Sequence, residues 1–93
     1  MADQQVRLLI TGRVQGVWYR GWTVETATKL GLKGWVRNLM SGQVEAVAQG
    51  DESSIDALIK ACHDGPQLAS VESIDVTEDN SPLDDVDDFR QIK

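Results

Sequence analysis

Val6, Leu8 and Ile10 alternate with Arg7, Leu9 and Thr11 near the start of the chain. A period of two predicts a strand with at least one buried face. A glycine-bearing loop follows, and from about Trp18 the period lengthens. Tyr19, Thr23, Ala27 and Leu30 recur at helical spacing, with Glu25 and Lys29 four apart on another face. Gly31 stands where a left-handed C-cap ends such a helix, with Leu32 able to fold back onto its last turn. The segments Gly34 to Leu39 and Gln43 to Gln49 read as two strands joined by a short hairpin turn at Met40-Ser41-Gly42. Ile55, Leu58, Ile59 and Cys62 then restore a helical stripe, which Asp51 or Ser53 can cap and Gly65-Pro66 ends. Val71 to Val76 is the last main strand. Val71 is out of phase with Ile74 and Val76, which predicts a bulge or an irregular beginning. An acidic loop from Asp79 to Asp88 leads to a short tail, Phe89 to Ile92, read as an edge strand.

The predicted order is β-α-β-β-α-β. Two helices of about a dozen residues cover only one face of such a sheet. The expected class is therefore α+β: a ferredoxin-like two-layer sandwich with two helices on one face of a four- to five-stranded, mainly antiparallel sheet. Tyr19, Leu30, Trp35 and Cys62 are expected in the core. The 93 residues contain no internal repeat, low-complexity tract or linker, so residues 1–93 are expected to form a single domain. This architecture hosts many activities and leaves function open.

At 41% hydrophobic and 26% charged, the composition is that of a globular protein, which excludes a disordered or fibrous chain. One cysteine excludes an internal disulfide framework and allows a reducing compartment. The first residues lack the basic region of a signal peptide, and no apolar stretch approaches the ~20 residues that span a bilayer. The expectation is a cytoplasmic monomer without membrane contact. The formal net charge of -6 conceals an asymmetry: residues 1–50 carry +3 and residues 51–93 carry -9. The acidic half is read as serving solubility. Nucleic acid is a poor partner for such a chain, and the strand Gln43 to Gln49 has no aromatic residue on which a base could stack. The run Asp84-Asp85-Val86-Asp87-Asp88 lacks the spacing, glycine and glutamate of a calcium loop. Cys62 and His63 have no second cysteine or histidine to complete a zinc site.

The positive charge of the first half gathers around TGRVQGVWYR, residues 11–20. Gly12 and Gly16 free the backbone to curl, so that N–H groups of Arg13, Val14 and Gln15 can point into a concavity that suits an anion. The loop delivers the chain into a helix N-terminus, where unpaired N–H groups and the helix dipole also favour negative charge. Arg20 sits in that first turn, and a planar guanidinium matches two oxygens of a phosphate. Two readings stay open on this pattern: a seat for a phosphate-sized anion, and a plain turn. Asn38 likewise has two: an amide that orients a water without ionising, or the first residue of the hairpin turn. Trp18 and Trp22 either flank the mouth of such a site or pack against the fold.

GRVQGVWYR at 12–20, ATKLGLKGWVRN at 27–38, SGQVEA at 41–46, the glycine at 50 and GP at 65–66 together resemble the acylphosphatase family. The resemblance runs from about residue 6 to 78, and Phe89-Arg90 resembles the family's C-terminal strand. It implies the same ferredoxin-like fold and hydrolysis of acyl phosphates to a carboxylate and inorganic phosphate, the latter a product and an inhibitor. It further implies that Arg20 binds the phosphoryl group, that Asn38 holds the attacking water, and that the loop Arg13, Val14, Gln15, Gly16 and Val17 cradles phosphate oxygens. Ser41-Gly42 stands where Asp-Gly is more usual, and Gln91 where an apolar residue is common, which loosens the expected pairing of the last strand. No catalytic acid or base lies near the loop, and none is needed: the leaving carboxylate is stable unprotonated, and positioning with electrostatic stabilisation does most of the work. This chemistry calls for no cofactor and no metal. The alternative is a non-catalytic module that binds a small anion, which would keep Arg20 but have no need of Asn38.

Overall fold

A computed structural model of the chain describes residues 3–80, 82–83 and 87–92. Along these residues run β1 (Asp3–Arg13), α1 (Tyr19–Lys29), β2 (Lys33–Asn38), β3 (Val44–Asp51), α2 (Glu52–Asp64), β4 (Ser70–Glu78) and β5 (Phe89–Gln91). The strands form one sheet in the order β4-β1-β3-β2-β5. Neighbours are antiparallel except β2 and β5, which run parallel with Val36 opposite Gln91. The tail expected as an edge strand is therefore one, and Gln91 does not prevent its pairing. Of the expected acidic loop, residues 81 and 84–86 lie outside the described residues.

The period-two positions of the sheet face both helices. Leu8 and Ile10 of β1, Val36 of β2, and Val44, Ala46 and Ala48 of β3 meet Tyr19 and Ala27 of α1 and Ile55, Leu58 and Cys62 of α2 in one core. α1 closes as its sequence predicts. Gly31 N–H donates to the Thr28 carbonyl at 3.0 Å and Leu32 N–H to the Ala27 carbonyl at 3.0 Å, a two-bond Schellman end that buries Leu32. At the start of α2 the Asp51 carboxylate accepts from Ser53 N–H at 3.2 Å. Glu25 and Lys29 are both exposed, and no ion pair joins them; at such a position a pair is worth only about 0.2–0.5 kcal/mol. The Tyr19 hydroxyl donates to the Cys62 carbonyl at 2.6 Å and so fixes the first turn of α1 against α2. Burial pushes the Cys62 thiol up to about 11, which leaves it a protonated core side chain.

The bulge expected at the start of β4 is present. Thr11 faces Ser73 but Gly12 faces Val71, so Glu72 is the extra residue. Gly12 is what lets β1 pass this point: at φ 134, a Cβ there would lie 2.2 Å from the Ser70 carbonyl oxygen and 2.8 Å from Glu72 N.

Trp35 departs from expectation. Gly34 and Val36 take the helix-facing positions of β2, so alternation turns Trp35 to the uncovered face of the sheet. There it lies half-buried, with the Arg37 guanidinium 5.3 Å from its ring centroid. On the same face Glu45 is only 4% exposed, clasped by Arg37 Nε at 2.6 Å and Arg7 Nε at 2.5 Å. Burial pushes the Glu45 carboxyl up, but the hydrogen bonds and charges of Arg37 and Arg7 outweigh it and hold the group below its ordinary value. A folded-state pKa below the unfolded one stabilises above the ordinary carboxylate range. That stabilisation is lost as pH falls through the depressed value. The arginine side chains are 39% and 40% exposed, so water screens them. We expect Glu45→Gln to lower stability by about 1–2 kcal/mol at pH 7 and by much less at pH 3, as read by urea denaturation at the two values.

Candidate functional site

β1 ends at Arg13, and α1 begins six residues later. The connection is held from below by Val14, 1% exposed, and Val17, 8% exposed. Between them Gly16 takes φ 75, and Trp18 takes φ 65, the one non-glycine residue with positive φ among those described. The loop is also held from the side: Gln15 Nε2 donates to the carbonyls of Leu39 at 2.8 Å and Gln43 at 2.9 Å. Those carbonyls flank the β2–β3 turn, so one side chain fixes the loop relative to Asn38, the last residue of β2.

The first turn of α1 is arranged against the ordinary preferences of a helix. Trp18 at the N-cap offers no side-chain acceptor, and the first turn has no acidic residue. It carries Arg20 instead, and no carboxylate among the described residues pairs with that guanidinium. A cation there is disfavoured by about 0.3–1 kcal/mol unless an anion neutralises it.

A hollow of about 120 Å³ opens at this point. Val14, Gly16, Trp18 and Tyr19 line it from the loop and the helix start, with Arg20 and Gly21 beside them and Asn38 and Gln91 from the sheet. The side-chain oxygen of Asn38 is buried and has no hydrogen-bond partner among the described residues. An unpaired buried acceptor costs about 1–3 kcal/mol, so its place beside an uncompensated cation and free helix N–H groups is a chemical arrangement. It can hold an anion and, next to it, a hydrogen-bond donor such as water.

Of the residues singled out from sequence, Val14, Gly16, Arg20 and Asn38 come together in this hollow. Arg13 does not line it; it is exposed at the end of β1 opposite Ser70. Gln15 spends its amide on the hairpin, and the Val17 side chain turns into the core. Trp18 forms part of the wall, whereas Trp22 packs against the core with its ring 5.5 Å from that of Tyr19. Gly21 and Gln91 are wall residues that the motif did not single out. For Gln91 a signal existed: it is polar where an apolar residue is common. A wider depression of about 420 Å³ lies at the other end of the sheet. It is lined by Asp3, Glu78 and Asp79 among others, and those carboxylates make it a poor seat for an anion.

Fold and hollow together define a small ferredoxin-like sandwich with a hollow at a helix mouth, lined by an arginine and an asparagine. A family model described as Acylphosphatase matches residues 6–91, and the chain belongs to the acylphosphatase family. It is 55% identical over 75 residues to an acylphosphatase of Methylococcus capsulatus, covering 81% of this chain and 82% of that protein. The crystal structure of acylphosphatase from Bacillus subtilis superposes with a TM-score of 0.89 at 36% identity, covering 96% of this chain and 98% of that one. An acylphosphatase structure from Coxiella burnetii gives 0.88 at 36% identity, covering 97% and 93%.

If Gln15 braces the loop as the geometry indicates, Gln15→Ala removes two hydrogen bonds at about 1 kcal/mol each. The expected loss is about 1–2 kcal/mol in chemical denaturation, with faster hydrogen exchange confined to the loop and the β2–β3 turn. Exchange that rises evenly over the whole chain would contradict a local brace.

Proposed function

We propose that the protein hydrolyses the carboxyl–phosphate bond of acyl phosphates, releasing a carboxylate and inorganic phosphate. In this reading Arg20 and the backbone N–H groups of residues 13–17 hold the phosphoryl oxygens, and Asn38 holds the attacking water. Membership of the family and 55% identity to a relative named acylphosphatase support the reaction. The observation that carries the assignment of Asn38 is its buried side-chain oxygen, which has no partner among the described residues. An amide oxygen accepts and cannot donate, so it gains nothing from a phosphate dianion. A water whose proton it accepts satisfies it, and turns a lone pair of that water toward phosphorus. A module that only binds anions has no use for such an acceptor, and the catalytic reading is preferred for that reason.

The chemistry follows from the substrate. Water attacks phosphorus as the bond from phosphorus to the carboxylate oxygen breaks. The leaving carboxylate takes the electron pair and needs no proton. One proton of the water passes to a phosphoryl oxygen and the other stays on the new P–OH, giving dihydrogen phosphate, which then exchanges a proton with solvent. Charge accumulates on the phosphoryl oxygens in a loose transition state, where a guanidinium and preorganised N–H groups stabilise it without reorganising. Arginine stays protonated throughout and is not the base. The product occupies the same seat, so inorganic phosphate competes with substrate. The reading takes residues 1–93 as one unit acting as a cytoplasmic monomer without a cofactor.

Benzoyl phosphate, assayed by loss of its ultraviolet absorbance without added metal, tests the reaction directly. Turnover and competitive inhibition by phosphate are expected; a well-folded protein no faster than spontaneous hydrolysis would refute it. Arg20→Ala and Asn38→Ala are each expected to lower kcat/KM by roughly 10²–10³-fold while unfolding stays cooperative. For Arg20→Ala the loss should fall on phosphate affinity as well. For Asn38→Ala phosphate affinity should hold while kcat falls. Near-normal kinetics in either variant removes that residue from the mechanism.

A further inference from the structure

The hollow extends beyond the phosphate seat. β5 lies on the far side of β2 from β1, so Gln91 closes the hollow opposite the strand that feeds the loop. Phe89 and Val36 are buried on the helix-facing side of the sheet. Gln91 is two residues from Phe89, and Asn38 is two from Val36; alternation therefore points both toward that same side. Gln91 is exposed, and its side chain has no hydrogen-bond partner among the described residues, so its amide can meet a ligand. The roof over the hollow is Trp18, whose indole rests directly on Gly21: a Cβ on that glycine would lie 2.1 Å from Trp18 Nε1. Trp18 keeps this contact although 60% of it faces solvent.

We propose that Trp18 and Gln91 form the subsite for the acyl group, and that Gln91 selects acyl groups carrying a hydroxyl or amino substituent next to the carbonyl. This rests on the acyl phosphate reading given above. Position and chemistry both support it. Trp18 and Gln91 line the same hollow as Arg20 and Asn38, so an acyl group attached to a phosphoryl group held there meets them. The Gln91 amide is neutral, so it pairs with a hydroxyl or amine without attracting a competing anion or repelling the substrate phosphate. The indole contributes an apolar face against which the planar acyl carbon can lie.

Glycolyl and propionyl phosphate, which differ by a hydroxyl in place of a methyl, test the proposal. The readout is the ratio of their kcat/KM values in the wild type, Gln91→Leu and Gln91→Met. The two leaving groups differ in reactivity equally for every variant, so only the change in ratio is informative. One neutral hydrogen bond predicts that the glycolyl preference falls about 3- to 10-fold in both variants, carried by KM, with the inhibition constant for inorganic phosphate as in the wild type. An unchanged ratio with hydrolysis intact overturns the subsite and leaves the proposed function standing. Weaker phosphate inhibition in both variants, with both substrates affected alike, assigns Gln91 to the phosphate seat and also overturns it. Failure of the wild type to hydrolyse either compound overturns both.

Discussion

Everything distinctive about this molecule depends on two valines under a loop. Val14 and Val17 are driven into the core, and their burial fixes the backbone between them, where Gly16 takes φ 75. Gln15 adds a lateral tie to the β2–β3 turn, so the loop and the end of β2 are joined by a side chain as well as by packing. Preorganisation here is therefore a packing property first and an electrostatic one second.

The local choices at the mouth of α1 each run against stability. Trp18 in the left-handed region costs on the order of 1–3 kcal/mol, the N-cap makes no side-chain bond, Arg20 faces the positive end of the dipole, and Asn38 keeps an acceptor unpaired. Separately these would be four unrelated defects. Around one hollow they are mutually consistent with the proposed phosphate seat, in which an anion and a water would relieve three of them together. The Tyr19 hydroxyl bond to Cys62 and the packing of Trp22 on Tyr19 secure the turn that bears this strain.

Much of the fold was legible in the sequence because core positions recur with clear periods, even in α1, whose buried stripe includes the polar Thr23. Thr23 is tolerable there because its hydroxyl donates to the Tyr19 carbonyl at 2.8 Å. The bulge was legible as a break in phase, whereas its cause, the backbone of Gly12 passing Ser70, was not. Trp35 was misplaced because a large aromatic residue invites a core assignment; the strand's alternation, set by Gly34 and Val36, overrules size. In the hollow, Arg20 and Asn38 stood out by their local sequence and by resemblance. Gln91 comes from β5, more than fifty residues along the chain from Asn38, and only strand pairing brings it to the hollow. The clasp of Arg7 and Arg37 on Glu45 was equally invisible, since it joins three strands across a face that no helix covers.

The bulge in β4 has a second consequence, for how copies of the protein meet. β4 is an outer strand of nine residues, long enough to serve as a template for edge-to-edge association. Its start is displaced at Glu72, which breaks the straight row of free N–H and carbonyl groups that a second strand would need. Glu72, Asp75 and Glu78 stand exposed along the same strand, so two such edges would bring like charges together. These three carboxylates and the bulge disfavour the addition of another strand at this edge, opposite the one that β5 occupies.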